Sequence, residues 1–262
     1  MHSARPVVVM AIIATGFCAI AAAERPFALV LSGSAAQKER LFCALRLGLP
    51  RGTADALRLG PGGEVRTRRA LSGGRAATRL GAILAGSRPV EVRLVAPGTR
   101  PEGVDPRTGK RTVSSIALSF PAAPGLTLLA RGDPGAEEDE LVSALPSARQ
   151  VLLVEAPLGT QVTTLAHELL THVYLAGTGR PAGHRALGDA VDLDARASED
   201  DALRALRRRA VFTPEQRAAA AAAWEAARSR LLAGVPEAGR ERAARLFAER
   251  FPAEAFLEGG CR

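Results

Sequence analysis

An α+β fold follows from two changes of pattern along the chain and from one absence. Up to about residue 154, short apolar runs alternate with helical periodicity; from Thr160 onward only helical patterns occur. No internal repeat or long linker separates the two stretches. The 262 residues are therefore read as a signal segment over residues 1–23 followed by one α+β domain over 24–262, sheet-rich to 156 and helical from 157.

The elements are expected in the following order. Phe27–Leu31 is a short buried strand, and Ser34 caps a helix that runs to about Leu47, where Gly48 and Pro50 stop it. Gly60-Pro61-Gly62-Gly63 turns between two short strands. Ser72 caps a second helix, with Ala76, Ala77, Leu80, Ile83 and Leu84 on one face and Gly86 at its end. Strands are expected at Val90–Val95, Val113–Phe120 and Leu126–Ala130, then a short acidic helix near Glu137–Leu145 and a buried strand at Val151–Val154. Alternation of Ile116, Leu118 and Phe120 with Ser115, Ala117 and Ser119 carries the Val113–Phe120 assignment. Four helices complete the chain: about Gln161–Ala176, about Leu187–Arg209, one opened by Thr213-Pro214, and one from near Pro236 to before Pro252.

Composition excludes several classes. With 47% apolar, 24% charged and 4% aromatic residues, the chain is neither disordered nor a small disulfide scaffold. The net charge is +8, yet only Lys38 and Lys110 are lysines and the arginines are scattered. Few aromatic residues are available for base stacking, so no nucleic-acid partner is expected.

Arg5, the apolar run Val7–Ile20 and the small residues Ala21-Ala22-Ala23 form a secretory signal peptide, with cleavage near Ala23 and a mature chain from Glu24. The apolar run is too short for a comfortable membrane span, and no later segment is apolar enough for one. The mature protein is thus expected to be secreted or periplasmic. It keeps two cysteines, Cys43 and Cys261, which an oxidising compartment would join; two unpaired thiols are the other reading.

All three mature histidines, His167, His172 and His184, fall within 18 residues. Two lie on one predicted helix, in Leu165-Ala166-His167-Glu168-Leu169-Leu170-Thr171-His172. At about 100° per residue, a spacing of five puts the two imidazoles about 140° apart on a regular α-helix. A single π turn, with about 4.4 residues per turn, would return them to nearly one face.

This stretch resembles the His-Glu-x-x-His helix of the zincin metallopeptidases. In its longer spacing it is similar to the His-Glu-x-x-Gly-His variant of the dipeptidyl peptidase III family. It is also similar to His-Glu-Leu-x-Gly-His-Ala-Tyr stretches of uncharacterised secreted bacterial proteins; Thr171 stands where the glycine is usual. The resemblance covers about twenty residues. It implies a zincin-like fold with the helix behind a sheet, His167 and His172 as ligands of one zinc ion, and Glu168 as the base that activates water.

Catalytic zinc needs a third protein ligand. On the following helix Val191, Ala195, Ala202 and Leu206 form the apolar stripe, and Glu199 falls within it, where a carboxylate needs a partner. Glu199 is therefore a candidate, in agreement with the resemblance. His184 competes as the better-matched donor; if Glu199 is the ligand, His184 would stabilise an oxyanion or orient Glu168. Asp192 lies near the stripe and is a further candidate, and Tyr174 reads as core. The expected function is zinc-dependent hydrolysis of peptide or protein substrates outside the cytoplasm, with an edge strand such as Val113–Phe120 aligning the peptide. A non-catalytic secreted binding protein on the same scaffold is the alternative.

Overall fold

The computed structural model describes residues 28–145, 147–183, 189–209 and 212–259. The expected signal segment and the expected cleavage site near Ala23 lie outside the described residues. The first half comprises β1 (Leu29–Ser32), α1 (Ala35–Leu47), α2 (Arg51–Ala56), β2 (Leu57–Leu59), β3 (Val65–Thr67), α3 (Arg75–Ala85), β4 (Val90–Val95), β5 (Glu102–Val104), β6 (Arg111–Val113), β7 (Gly125–Leu128) and β8 (Arg149–Val154). The second half comprises α4 (Leu158–His167), a π turn (Glu168–Val173), α5 (Tyr174–Gly177), α6 (Asp189–Arg207), α7 (Pro214–Ala233) and α8 (Glu237–Arg250). The fold class is α+β, built on a mixed sheet.

That sheet has the order β1-β4-β8-β7; β1, β4 and β8 are parallel, and β7 runs antiparallel along the outer side of β8. All six residues of β8 are buried, as expected of a strand covered on both faces. Period-2 alternation sorts its side chains: Val151 and Leu153 join Leu29, Leu31, Val90 and Val92 beneath α1, α3 and α4. Leu152 and Val154 point the other way, into a smaller cluster with Leu118, Leu128 and Leu141. The helix-side cluster also takes in Ala202 and Leu206 of α6 and Ala220 of α7, so sheet and helices share one core.

Most expected elements are present, several with the anticipated caps. Ser34 and Gln37 form a capping box on α1, and Thr213 and Gln216 form another on α7. The turn at Gly60–Gly63 joins β2 and β3 in an antiparallel pair. Three expectations need correction. Ser72 does not cap α3, because Gly73 and Gly74 at φ 118° and 83° carry the chain past it, and the helix starts at Arg75. The acidic helix shrinks to a 3₁₀ turn at Ala136–Glu138. Val113–Phe120 is not a strand of the main sheet. Only Arg111–Val113 is extended, paired with β5, and the next residues bend around Glu140, which accepts from the Ser115 N–H at 2.6 Å and its hydroxyl at 3.0 Å. Ile116 is accordingly 53% exposed, whereas Leu118 is buried.

Near its end the chain folds back on α4. Gly159 N–H donates to Leu257 O and Thr160 Oγ1 to Ala255 O, and a Cβ on Gly159 would stand 1.9 Å from Glu254 O. Arg40 of α1 reaches Glu258 at 3.2 Å, and Cys43, one turn further on, is disulfide-bonded. Its partner lies outside the described residues, as does Cys261. No helix among the described residues is long and apolar enough to cross a membrane.

Candidate metal centre

The helix that begins at Leu158 changes its winding at the histidines. α4 ends at His167, the six residues Glu168–Val173 are π-helical, and α5 resumes the α pattern. Tyr174 N–H accordingly donates to Leu169 O, five residues back. The extra residue per turn turns His172 toward His167, and their Nε2 atoms stand 3.3 Å apart.

Each ring is oriented through its other nitrogen. His172 Nδ1 is 2.5 Å from the Ala182 carbonyl, and His167 Nδ1 is 2.7 Å from Glu199 Oε1. A carbonyl and a carboxylate only accept, so each Nδ1 faces its partner as the donor, and the two Nε2 atoms face each other. Two nitrogens each roughly 2.0–2.1 Å from a tetrahedral ion stand about 3.3–3.4 Å apart, which the observed separation matches. Donor type and spacing thus fit a zinc-sized ion.

Glu168 adjoins this point. Its side chain is almost fully buried; Oε2 accepts from Thr127 Oγ1 at 2.8 Å, and Oε1 is 4.0 Å from His167 Nε2. Each of His167, Glu168 and His172 offers a ligand atom within 4.8 Å of the other two. Thr127 lies opposite Val151 in the sheet and so faces the helices. Two residues before it, Gly125 permits the close approach: a Cβ there would lie 2.4 Å from Thr164 Cγ2 and 3.3 Å from Glu168 Cγ. Thr171, where the resembling motifs have glycine, is fully buried, and its hydroxyl donates to Ser198 Oγ at 3.0 Å. Ser198 in turn donates to Asp194 O, so the bulkier residue ties the π turn to α6.

The structure brings together three of the expected site residues and gives Glu199 a different place from the one expected. A carboxylate on His167 Nδ1 lies on the far side of the ring from the Nε2 point, roughly 6–7 Å from an ion held there. Glu199 is therefore positioned to orient His167 and not to complete the ligand set. It was expected within the buried stripe but is half-buried, its side chain 32% exposed, and the partner that accounts for it is the imidazole. Asp192 is exposed and takes no part. Tyr174 packs against the core clusters, as expected. His184 lies outside the described residues. Sequence reasoning missed Thr127 and the Ala182 carbonyl, both far from the motif or without a distinctive side chain.

No family model, no curated protein and no solved structure matches this chain.

Proposed function

We propose that the protein is a secreted or periplasmic zinc-dependent peptidase of zincin-like build. The observation that carries this reading is the convergence of two imidazole Nε2 atoms on one point beside a buried glutamate. Zinc held there would supply Lewis acidity, polarising a peptide carbonyl and acidifying water.

The chain's own residues supply the rest. His167 and His172 give Nε2 donors, their rings oriented by Glu199 and by the Ala182 carbonyl. Glu168 takes the proton of the attacking water on its carboxylate and returns it to the leaving amine, while the Thr127 hydroxyl holds that carboxylate in place. Glu199 is committed to His167, and the other candidate third ligand, His184, lies outside the described residues. β7 is the sheet edge next to Glu168, and an extended peptide added along it would pass the site. Val113–Phe120 has no such position.

Metal analysis of the exported protein and a peptide-hydrolysis assay of Glu168→Gln test the proposal together. One equivalent of zinc in both proteins, with hydrolysis lost only in the variant, is expected. Absence of zinc would reject the site; zinc without hydrolysis in the unaltered protein would leave a binding protein on this scaffold. The mature N-terminus of the exported protein should be Glu24 or a near neighbour.

A further inference from the structure

A π turn leaves one carbonyl without an intrahelical partner. Tyr174 N–H reaches back to Leu169 O and also to Thr171 O, and Leu170 O, between them, is not among its acceptors. Leu170 is only 3% exposed, so water does not readily cover that oxygen, and a buried orphan carbonyl is destabilising.

The partner comes from another element. Arg79 of α3 is 7% exposed and lies among the apolar residues of that helix, an expensive place for a guanidinium. Its Nη1 donates to Leu170 O at 3.0 Å and to Ser198 Oγ at 3.0 Å, and its Nη2 donates to Asp194 Oδ1 at 2.7 Å. The guanidinium carbon also stands 4.9 Å from the centre of the Tyr174 ring, at the first residue after the π turn. One planar group therefore satisfies the orphan carbonyl and fastens it to Ser198 and Asp194 of α6. The next residue of α6, Glu199, holds His167.

We propose that Arg79 is the positioning residue of the paired-histidine site: it holds the π turn that makes His167 and His172 converge and sets α6 so that Glu199 meets the His167 ring. The consequence for metal binding rests on the zinc-site reading above; the consequence for ring geometry does not. An ammonium could keep the charge opposite Asp194 but would not serve three acceptors with the planar fork of a guanidinium.

The test uses cobalt(II) titration of Arg79→Met and Arg79→Lys, with Leu80→Ala as a destabilised control from the same helix. It adds the proton cross-relaxation between the His167 and His172 rings in the metal-free proteins. Arg79→Met should bind cobalt about 10–100-fold more weakly than the unaltered protein and lose the intense visible bands of a tetrahedral site. Arg79→Lys should fold and recover only part of the affinity, and Leu80→Ala should keep the bands. The ring-to-ring signal should be lost in Arg79→Met and retained in the control. If Arg79→Met does not fold, Arg79→Lys decides. Affinity, bands and ring contact equal to those of the unaltered protein in whichever Arg79 variant folds would overturn the proposal. If the unaltered protein takes up neither cobalt nor zinc, the metal reading fails, and the ring contact alone decides the role of Arg79.

Discussion

Thr127 donates its hydroxyl to Glu168 Oε2 at 2.8 Å, so the edge strand of the sheet holds the carboxylate that stands beside the paired histidines. Both residues are at least 97% buried. Thr127→Val keeps the shape and removes the donor. A hydrogen bond to a charged group contributes about 1.5–3 kcal/mol, so kcat for peptide hydrolysis should fall roughly 10–100-fold. Zinc content and KM should be unchanged, and Thr127→Ser should restore the rate. Loss of zinc together with activity would mean that Thr127 supports the fold and not the base.

Gly125 is the point at which the helix of the site rests on the sheet. An added Cβ would meet Thr164 Cγ2 at 2.4 Å and Leu153 Cδ2 at 3.1 Å. Gly125→Ala should therefore destabilise by about 1–3 kcal/mol, the usual cost of overpacking. Because the closest contact is a single methyl group, Thr164→Ser should return part of that loss in the double variant. Urea unfolding of the four proteins of the cycle measures this. Additive effects would show that the strand shifts instead of pressing on Thr164.

Much of the fold was legible because local rules and tertiary packing agree: Ser34 and Thr213 cap, Gly60–Gly63 turns, and β8 is apolar on both faces. The π turn was legible because a five-residue histidine spacing and a shared metal ion are compatible only with a wider turn. What was not legible depends on contacts between distant residues. Alternation at Ser115–Phe120 looked like a strand, yet Glu140 captures the Ser115 backbone and bends it away. Arg79 looks like any of the chain's many arginines until the π turn brings Leu170 O within its reach. Glu199 was expected on the inward stripe and is half-buried, and no spacing rule says whether the partner of such a carboxylate is an ion or an imidazole.

The fold-back of the chain onto α4 should respond to acid. Arg207 donates Nε to Glu254 Oε1 at 2.8 Å and Nη2 to Oε2 at 3.3 Å, and this pairing holds the Glu254 carboxyl below the usual carboxylate range. A folded-state value below the unfolded one stabilises the protein above the ordinary glutamate range; that contribution is lost as pH falls through the lowered value. Glu254→Gln should thus be less stable than the unaltered protein at neutral pH, and the difference should vanish in acid. Arg207 is half exposed, so the effect should be small and should shrink with added salt. Urea midpoints across the acid range check this, and a difference independent of pH would refute it.

Glu199 separates two designs of the same centre. As a ligand it would bind the ion directly, and an amide in its place would abolish tight binding, since a neutral amide oxygen is a poor donor to zinc. As the acceptor for His167 Nδ1–H it acts through the ring, and a glutamine oxygen accepts the same bond without the charge. Glu199→Gln should therefore keep one zinc and weaken its affinity only modestly. Glu199→Ala, which frees the ring to rotate and to change tautomer, should weaken it about 10–100-fold. Chelator competition with both variants, alongside His184→Ala, gives the comparison. If His184→Ala abolishes zinc binding while Glu199→Gln retains it, the third ligand is His184; the reverse order would return Glu199 to the coordination sphere.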